Sequence, residues 1–227
     1  KQKMFNKAVK NVGQLQNILK KAQRAQKAQK KVEANFHAKL FEKKLPENSF
    51  VYMNGQFDIK KVVFSESLVS NHSVEELEKE LTKAFNSVYN QVDSYRVREL
   101  EKVNAEFDDK TLKIIGDTLG KKAAEQIKNG QEAQKLAKEK QEEFAKEVFE
   151  EDFAQGNIKV KMSGASQILE LKITPDFVDS DDLDMLEDSM IYAMKKMYEI
   201  IDTKRTEALN SVTGALDVDK LNFDYSK

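Results

Sequence analysis

Two stretches of the chain, NSFVYMNGQFDIKKVVF and NIKVKMSGASQILELKI, each carry Met-x-Gly after an alternating run, and Gly55 and Gly164 stand 109 residues apart. A shift of that length lays the second half of the chain over the first without a gap. Val51 meets Val160, Met53 meets Met162, Ile59 meets Ile168, Val62 meets Leu171, and Phe64 meets Ile173. Leu77 meets Leu186, Ala84 meets Ala193, Tyr89 meets Tyr198, Asp93 meets Asp202, and Arg96 meets Arg205. Successive strand residues face opposite ways, so a slip of one position would invert them all. Shared phase through both strand and helix patterns marks a duplicated α/β unit.

Periodicity gives the elements. Residues 8–44 read as one long helix, with Ala8, Val12, Leu15, Leu19, Ala22, Ala25, Ala28, Val32, Phe36 and Leu40 on one face and Pro46 ending it. Its centre, KAQRAQKAQKK, favours helix but buries little beyond alanine. Residues 50–54 alternate, and Asn54-Gly55 is read as the hairpin turn into a second strand. Ser73 and Glu76 form a capping box opening a helix that reaches about Val103. Residues 108–120, with two glycines, read as a junction. A helix over 121–152, strands around Ile158–Met162 and Leu169–Ile173, and a last helix from Leu183 to Ile201 repeat the plan.

The expected domains are a first unit at 1–107, the junction at 108–120, a second unit at 121–209 and a loosely ordered tail at 210–227. A two-stranded hairpin is marginal alone, so each small sheet needs the other copy. The expected fold class is α+β: tandem helix–β-hairpin (small antiparallel sheet)–helix units forming an intramolecular pseudo-dimer with long projecting helices. A first helix of roughly 35 residues would be ~50 Å long.

Composition removes several functions. The chain of 227 residues has no cysteine, which excludes disulfides, thiolate metal sites and cysteine catalysis. No apolar run reaches the ~18 residues of a transmembrane helix. The two histidines, His37 and His72, have no serine–carboxylate partners at supportive spacing, so no catalytic residues are assigned and no enzyme is expected. DSDDLD at 179–184 fails as a calcium loop, because position six is Asp184 and position twelve is Met190. Its acids suit helix capping instead. Met185, Met190, Met194 and Met197 read as core packing. Neither metal nor cofactor is expected.

Charge is uneven. Residues 1–109 hold 20 basic and 15 acidic side chains, the remainder 18 and 24. The first 31 residues hold ten basic side chains and no acidic one. Such a run is either a solvated helix face or an arm for phosphates or an acidic partner. Lys10, Lys20, Lys21, Arg24, Lys27, Lys30 and Lys31 are the candidate binding residues. One arginine among seven offers little for guanine-specific readout.

Each copy resembles the YbaB/EbfC nucleoid-associated protein family. The second copy does so through GNIKVKMSGASQILELKITPDFVDSDDLDMLEDSMIYAMKK, the first through MFNKAVKNVGQLQNILKKAQ and FVYMNGQFDIKKVVFSESLVSNHSVEELEKELTKAFNSVYNQV. The resemblance implies a tweezer-like α/β dimer, here fused in one chain, that binds DNA with weak sequence preference and organises the nucleoid. A structural or accessory subunit of a larger assembly, possessing no DNA binding, is the alternative. The expected partners are accordingly double-stranded DNA or an acidic protein surface, with other subunits of a complex as a further possibility. Opening on Lys1 reflects either trimming or a removed presequence. The second leads to a mitochondrion or other organelle, against a bacterial cytoplasm or nucleoid.

Overall fold

Alternation overrides helix propensity at the start of each sheet. In the computed structural model, which describes residues 1–104 and 107–210, helix α1 spans Gln2–Asn35 rather than reaching 44. Leu40–Leu45 is strand β1, antiparallel to β2 at Ser49–Asn54. LFEKKL satisfies both periods, but only a strand places Phe41 opposite Met53 and sets Leu45 in the core. Pro46 lies in the connection, not at a helix end. The second copy corrects the same expectation: helix α5 spans Lys121–Phe144 and β4 occupies Val148–Phe153.

Most of the remaining elements follow the sequence pattern, with two short helices that it did not predict. β3 is Ile59–Val63 and α2 is the short Glu66–Ser70, capped by Ser65. α3, Val74–Glu101, opens on a reciprocal capping box: Glu76 N–H donates to Ser73 Oγ at 3.1 Å and Ser73 N–H to Glu76 Oε2 at 3.3 Å. The junction residues form helix α4, Asp109–Leu119, N-capped by Asp108. Their two glycines do not prevent this, because Gly120 sits past the end with φ of 93° and Gly116 packs beside Ala124. β5 is Ile158–Ser163, β6 is Ile168–Ile173 and α6 is Leu183–Leu209. The expected tail lies, beyond Asn210, outside the described residues.

Two compact units emerge. One, residues 35–98 and 140–210, contains both sheets, ordered β1-β2-β3 and β4-β5-β6. The repeat is not gapless here. β1 matches β4 at an offset of 108, whereas β2, β3 and α3 match β5, β6 and α6 at 109. The extra residue enters the β4–β5 connection, where Ala154 and Gln155 take left-handed φ values of 51° and 57°.

The paired glycines have a reason other than the one expected. Neither has positive φ; Phe57 and Ser166, at 62° and 59°, supply the left-handed residue of the turn. Glycine is required because the turn lies against the end of the first helical segment. A Cβ on Gly55 would stand 2.5 Å from the Phe36 carbonyl oxygen, and one on Gly164 would collide more severely with that of Phe144. Arg96 Nη1 donates to Gly55 O at 2.7 Å, and its guanidinium lies 4.5 Å from the Phe36 ring centroid. Arg205 repeats this with Gly164 O at 3.1 Å and Phe144 at 5.9 Å.

Both sheets share one core. Val51 and Met53 of β2, Val160 and Met162 of β5, Leu81, Phe85 and Val88 of α3, and Met190, Met194 and Met197 of α6 belong to a single buried cluster. Met185, expected there, is 37% exposed, because at about 100° per residue it lies at least about 120° around α6 from Met190, Met194 and Met197. The copies are tied reciprocally. Glu78 Oε2 on α3 accepts the Ile173 N–H at 2.6 Å, and its repeat equivalent Glu187 accepts the Phe64 N–H at 2.7 Å. At a second equivalent pair, Asn86 accepts from Ile168 N–H and donates to Ile168 O, while Lys195 pairs with Asp58 at 3.3 Å. Lys60, at 2.8 Å, and Lys195 hold the Asp58 carboxyl below its usual range. Tyr89 and Tyr198 meet with ring centroids 5.1 Å apart.

The other unit, within residues 1–34 and 99–139, is helical. Leu15 of α1, Ile115 of α4 and Ile127 of α5 form a small buried cluster, supported by Ile18, Leu19 and Phe107. α4 thus acts as a packing element. The alanine stripe buries little, as the sequence suggested: only Leu15 and Ala22 of α1 are buried.

Three outcomes follow for stability. Gly164→Ala destabilises the fold by about 3 kcal/mol, with Gly55→Ala smaller, because backbone must move; urea midpoints read both. Tyr198 Oη is buried without a hydrogen-bond partner among the described residues, so Tyr198→Phe is neutral or stabilising by up to about 1 kcal/mol in the same assay. Burial pushes the Glu187 carboxyl upward, against the Phe64 N–H, with Asp184 and Asp188 adding. The folded state therefore holds this proton more tightly than the unfolded chain. Stability from Glu187 falls as pH rises from the ordinary carboxylate value through the raised one. Glu187→Gln removes that part of the slope, and identical slopes for both proteins would contradict the assignment.

Candidate nucleic-acid interface

All seven candidate residues lie on α1 and all seven are exposed. At about 100° per residue, Lys20, Arg24, Lys27 and Lys31 run as i, i+4, i+7 and i+11, one line along the helix. Lys10 and Lys21 flank the line on one side and Lys30 on the other. The line lies opposite Leu15 and Ala22, the two residues that α1 buries. Amphipathic folding therefore determines its direction: packing of the apolar side turns the cations to solvent. Four cations spread over about 17 Å, at 1.5 Å rise per residue.

None of the seven takes part in a salt bridge among the described residues. The one acidic residue of α1, Glu33, falls on the Leu15 and Ala22 side. A line of cations on one helix, with no salt bridge among the described residues, suits a polyanion, whose phosphates exchange condensed counterions for lysine and arginine. It offers little to a base edge, since it has a single guanidinium.

The other polar features belong to the architecture. His72 Nδ1 lies 2.9 Å from the Leu68 carbonyl oxygen, and the His37 carbonyl accepts from Asn54 Nδ2. Asp182 Oδ1 accepts from Met185 N–H at the start of α6 and Asp179 Oδ1 from Asp181 N–H, which explains the acidic run as capping. Among the described residues no group of three or more His, Asp or Glu is placed to hold a metal ion. No described helix is long and apolar enough to cross a membrane. Arg96 and Arg205, visible in the sequence only as a repeated pair, act on the glycine turns rather than on a ligand.

Comparison with known proteins supports the duplication. The model of the YbaB/EbfC DNA-binding family matches twice, at residues 11–107 and 120–216. The two matches are offset by the same 109 residues that relate the glycines. A nucleoid-associated protein of Clostridium acetobutylicum is 30% identical over 92 residues, which is 40% of this chain and 82% of the relative. Another from Koribacter versatilis is 32% identical over 84 residues, 37% of this chain and 83% of the relative. One from Clostridium novyi is 29% identical over 92 residues, 40% and 81% respectively. Each relative thus corresponds in length to a single copy. With both copies matched and the α+β architecture in place, the chain belongs to the YbaB/EbfC DNA-binding family, as a tandem duplication of its unit.

Proposed function

We propose that this protein is a nucleoid-associated, low-specificity DNA-binding protein, and that the exposed line on α1 contacts the phosphate backbone of duplex DNA. Lys20, Arg24, Lys27 and Lys31, turned outward by the burial of Leu15 and Ala22 and in no salt bridge among the described residues, carry the reading. Family membership supports DNA as the polyanion. Lysine-dominated contacts act at the backbone, which positions a protein without reading sequence. The overall charge of −1 does not oppose this, because a local field governs contact within a Debye length of about 10 Å.

The relatives are named as bacterial nucleoid-associated proteins, which supports a nucleoid in bacterial cytoplasm. They give no support to an organelle. The family is described by DNA binding rather than by a reaction, in keeping with a non-enzymatic role. The accessory-subunit reading has no observation in its favour, nor does an acidic protein surface as partner.

Binding of random-sequence duplex DNA across a salt series is the test. Each phosphate contact contributes about 0.9 to the slope of log K against log salt. Replacing Lys20, Arg24, Lys27 and Lys31 by glutamine together therefore flattens the slope by about 3 to 4 and weakens binding similarly for all sequences. A wild-type protein that fails to bind at low salt would sink the proposal.

A further inference from the structure

The sheet-bearing unit has a concentration of positive charge of its own. A groove of about 920 Å³ runs between β1 and α3 of the first copy. Lys43 and Lys44 of β1 line one side, Lys83 and Arg98 of α3 the other, and Glu80 is the one carboxylate among the lining residues. None of the four cations is in a salt bridge among the described residues. Net positive charge in a concave surface focuses the field and concentrates anions.

Comparison of the two copies shows that this charge is not inherent in the scaffold. At the offset of 108 that relates β1 to β4, Lys43 and Lys44 correspond to Glu151 and Asp152. At the offset of 109 that relates α3 to α6, Lys83 and Arg98 correspond to Tyr192 and Glu207. Four cations on one copy thus stand where the other has three carboxylates and a phenol. The fold tolerates either sign at these positions, so neither set is needed for packing. Lys44, Lys83 and Arg98 are exposed, and Lys43 is half-buried.

We propose that the β1–α3 groove of the first copy is a second phosphate-backbone contact for DNA, and that the second copy has none at the equivalent place. The proposal rests on the DNA-binding reading above. The chemistry of the lining favours a nucleic acid backbone over a protein partner. Protein interfaces depend on buried aromatic and aliphatic anchors; here Phe41 and the small Ala84 are the apolar side chains, and the uncharged remainder are amides and hydroxyls such as Gln91 and Ser94. Phosphate recognition needs cations and neutral donors, as found here. Within the sheet-bearing unit DNA is thereby engaged by the first copy alone, unlike a symmetric clamp.

The test replaces Lys43, Lys44, Lys83 and Arg98 by glutamine in the full chain and measures binding to random-sequence duplex DNA over a salt series. A control replaces the exposed second-copy residues Lys146, Lys159, Lys172 and Lys204 by glutamine, changing net charge equally. Thermal unfolding confirms that both variants remain folded. The groove variant is expected to bind at least about tenfold more weakly at low salt, with a slope flatter by about 3 to 4, while the control keeps the wild-type slope. Wild-type slope in the groove variant, or equal loss in the control, would overturn the proposal. The α1 variant separates the two ideas. Its loss of binding alongside an unaffected groove variant would leave the family function standing and remove this site alone, whereas absence of wild-type binding would remove both.

Discussion

Each sheet of this protein has three short strands and one apolar face, and a sheet of that size cannot exclude water from its own core. The single buried cluster that holds Val51, Met53, Val160 and Met162 together with α3 and α6 is the solution. It requires both copies. Glu78 and Glu187 bind it at equivalent places, each accepting the backbone N–H just beyond or at the end of the other copy's third strand. A main-chain donor emerging from a sheet end would otherwise be left in a partly buried site, and an unmet donor there costs about 1–3 kcal/mol. The crossing carboxylates therefore supply register between copies as well as attraction.

Within each copy a second constraint fixes the point at which the chain enters the sheet. The Phe36 and Phe144 backbone carbonyls lie where a Cβ on Gly55 or Gly164 would be. Arginine from the later helix closes over the same turn, through a hydrogen bond to the glycine carbonyl and a cation–π contact with the phenylalanine. Three points distant in sequence thus meet at one place in each copy. The repeated geometry explains why glycine, arginine and phenylalanine recur while much of the surrounding surface does not.

Fusion into one chain removes the requirement that both halves present identical surfaces. In a homodimer every charge appears twice, related by symmetry. Here the β1 cations are answered by β4 carboxylates, and the basic α1 has no basic counterpart, since α5 carries lysines and glutamates in a mixed sequence. The core, by contrast, keeps matched residues such as Met53 and Met162 or Tyr89 and Tyr198. Packing tolerates little change of volume, whereas a solvated charge can invert at small energetic consequence.

Duplication, α+β class, the capping box at Ser73 and the outward basic line of α1 could all be read from sequence, because each rests on local spacing. The cations lie opposite Leu15 and Ala22 whatever the helix packs on. Local spacing could not decide LFEKKL, VFEEDF or the junction. The first two suit helix or strand, and β2 and β5 chose strand by pairing with them. The junction's glycines suggested a break, yet Ile115 gained burial against Leu15 and Ile127 in a helix. The β1–α3 groove stayed hidden for the same reason, since Lys43 and Lys83 are neighbours only once β1 is a strand. Sequence alone determined the repeat and the sign of the first helix, which are properties of order along the chain. Tertiary structure decided where each sheet begins, why the glycines are glycine and which lysines converge, since burial and backbone pairing depend on residues far apart in that order.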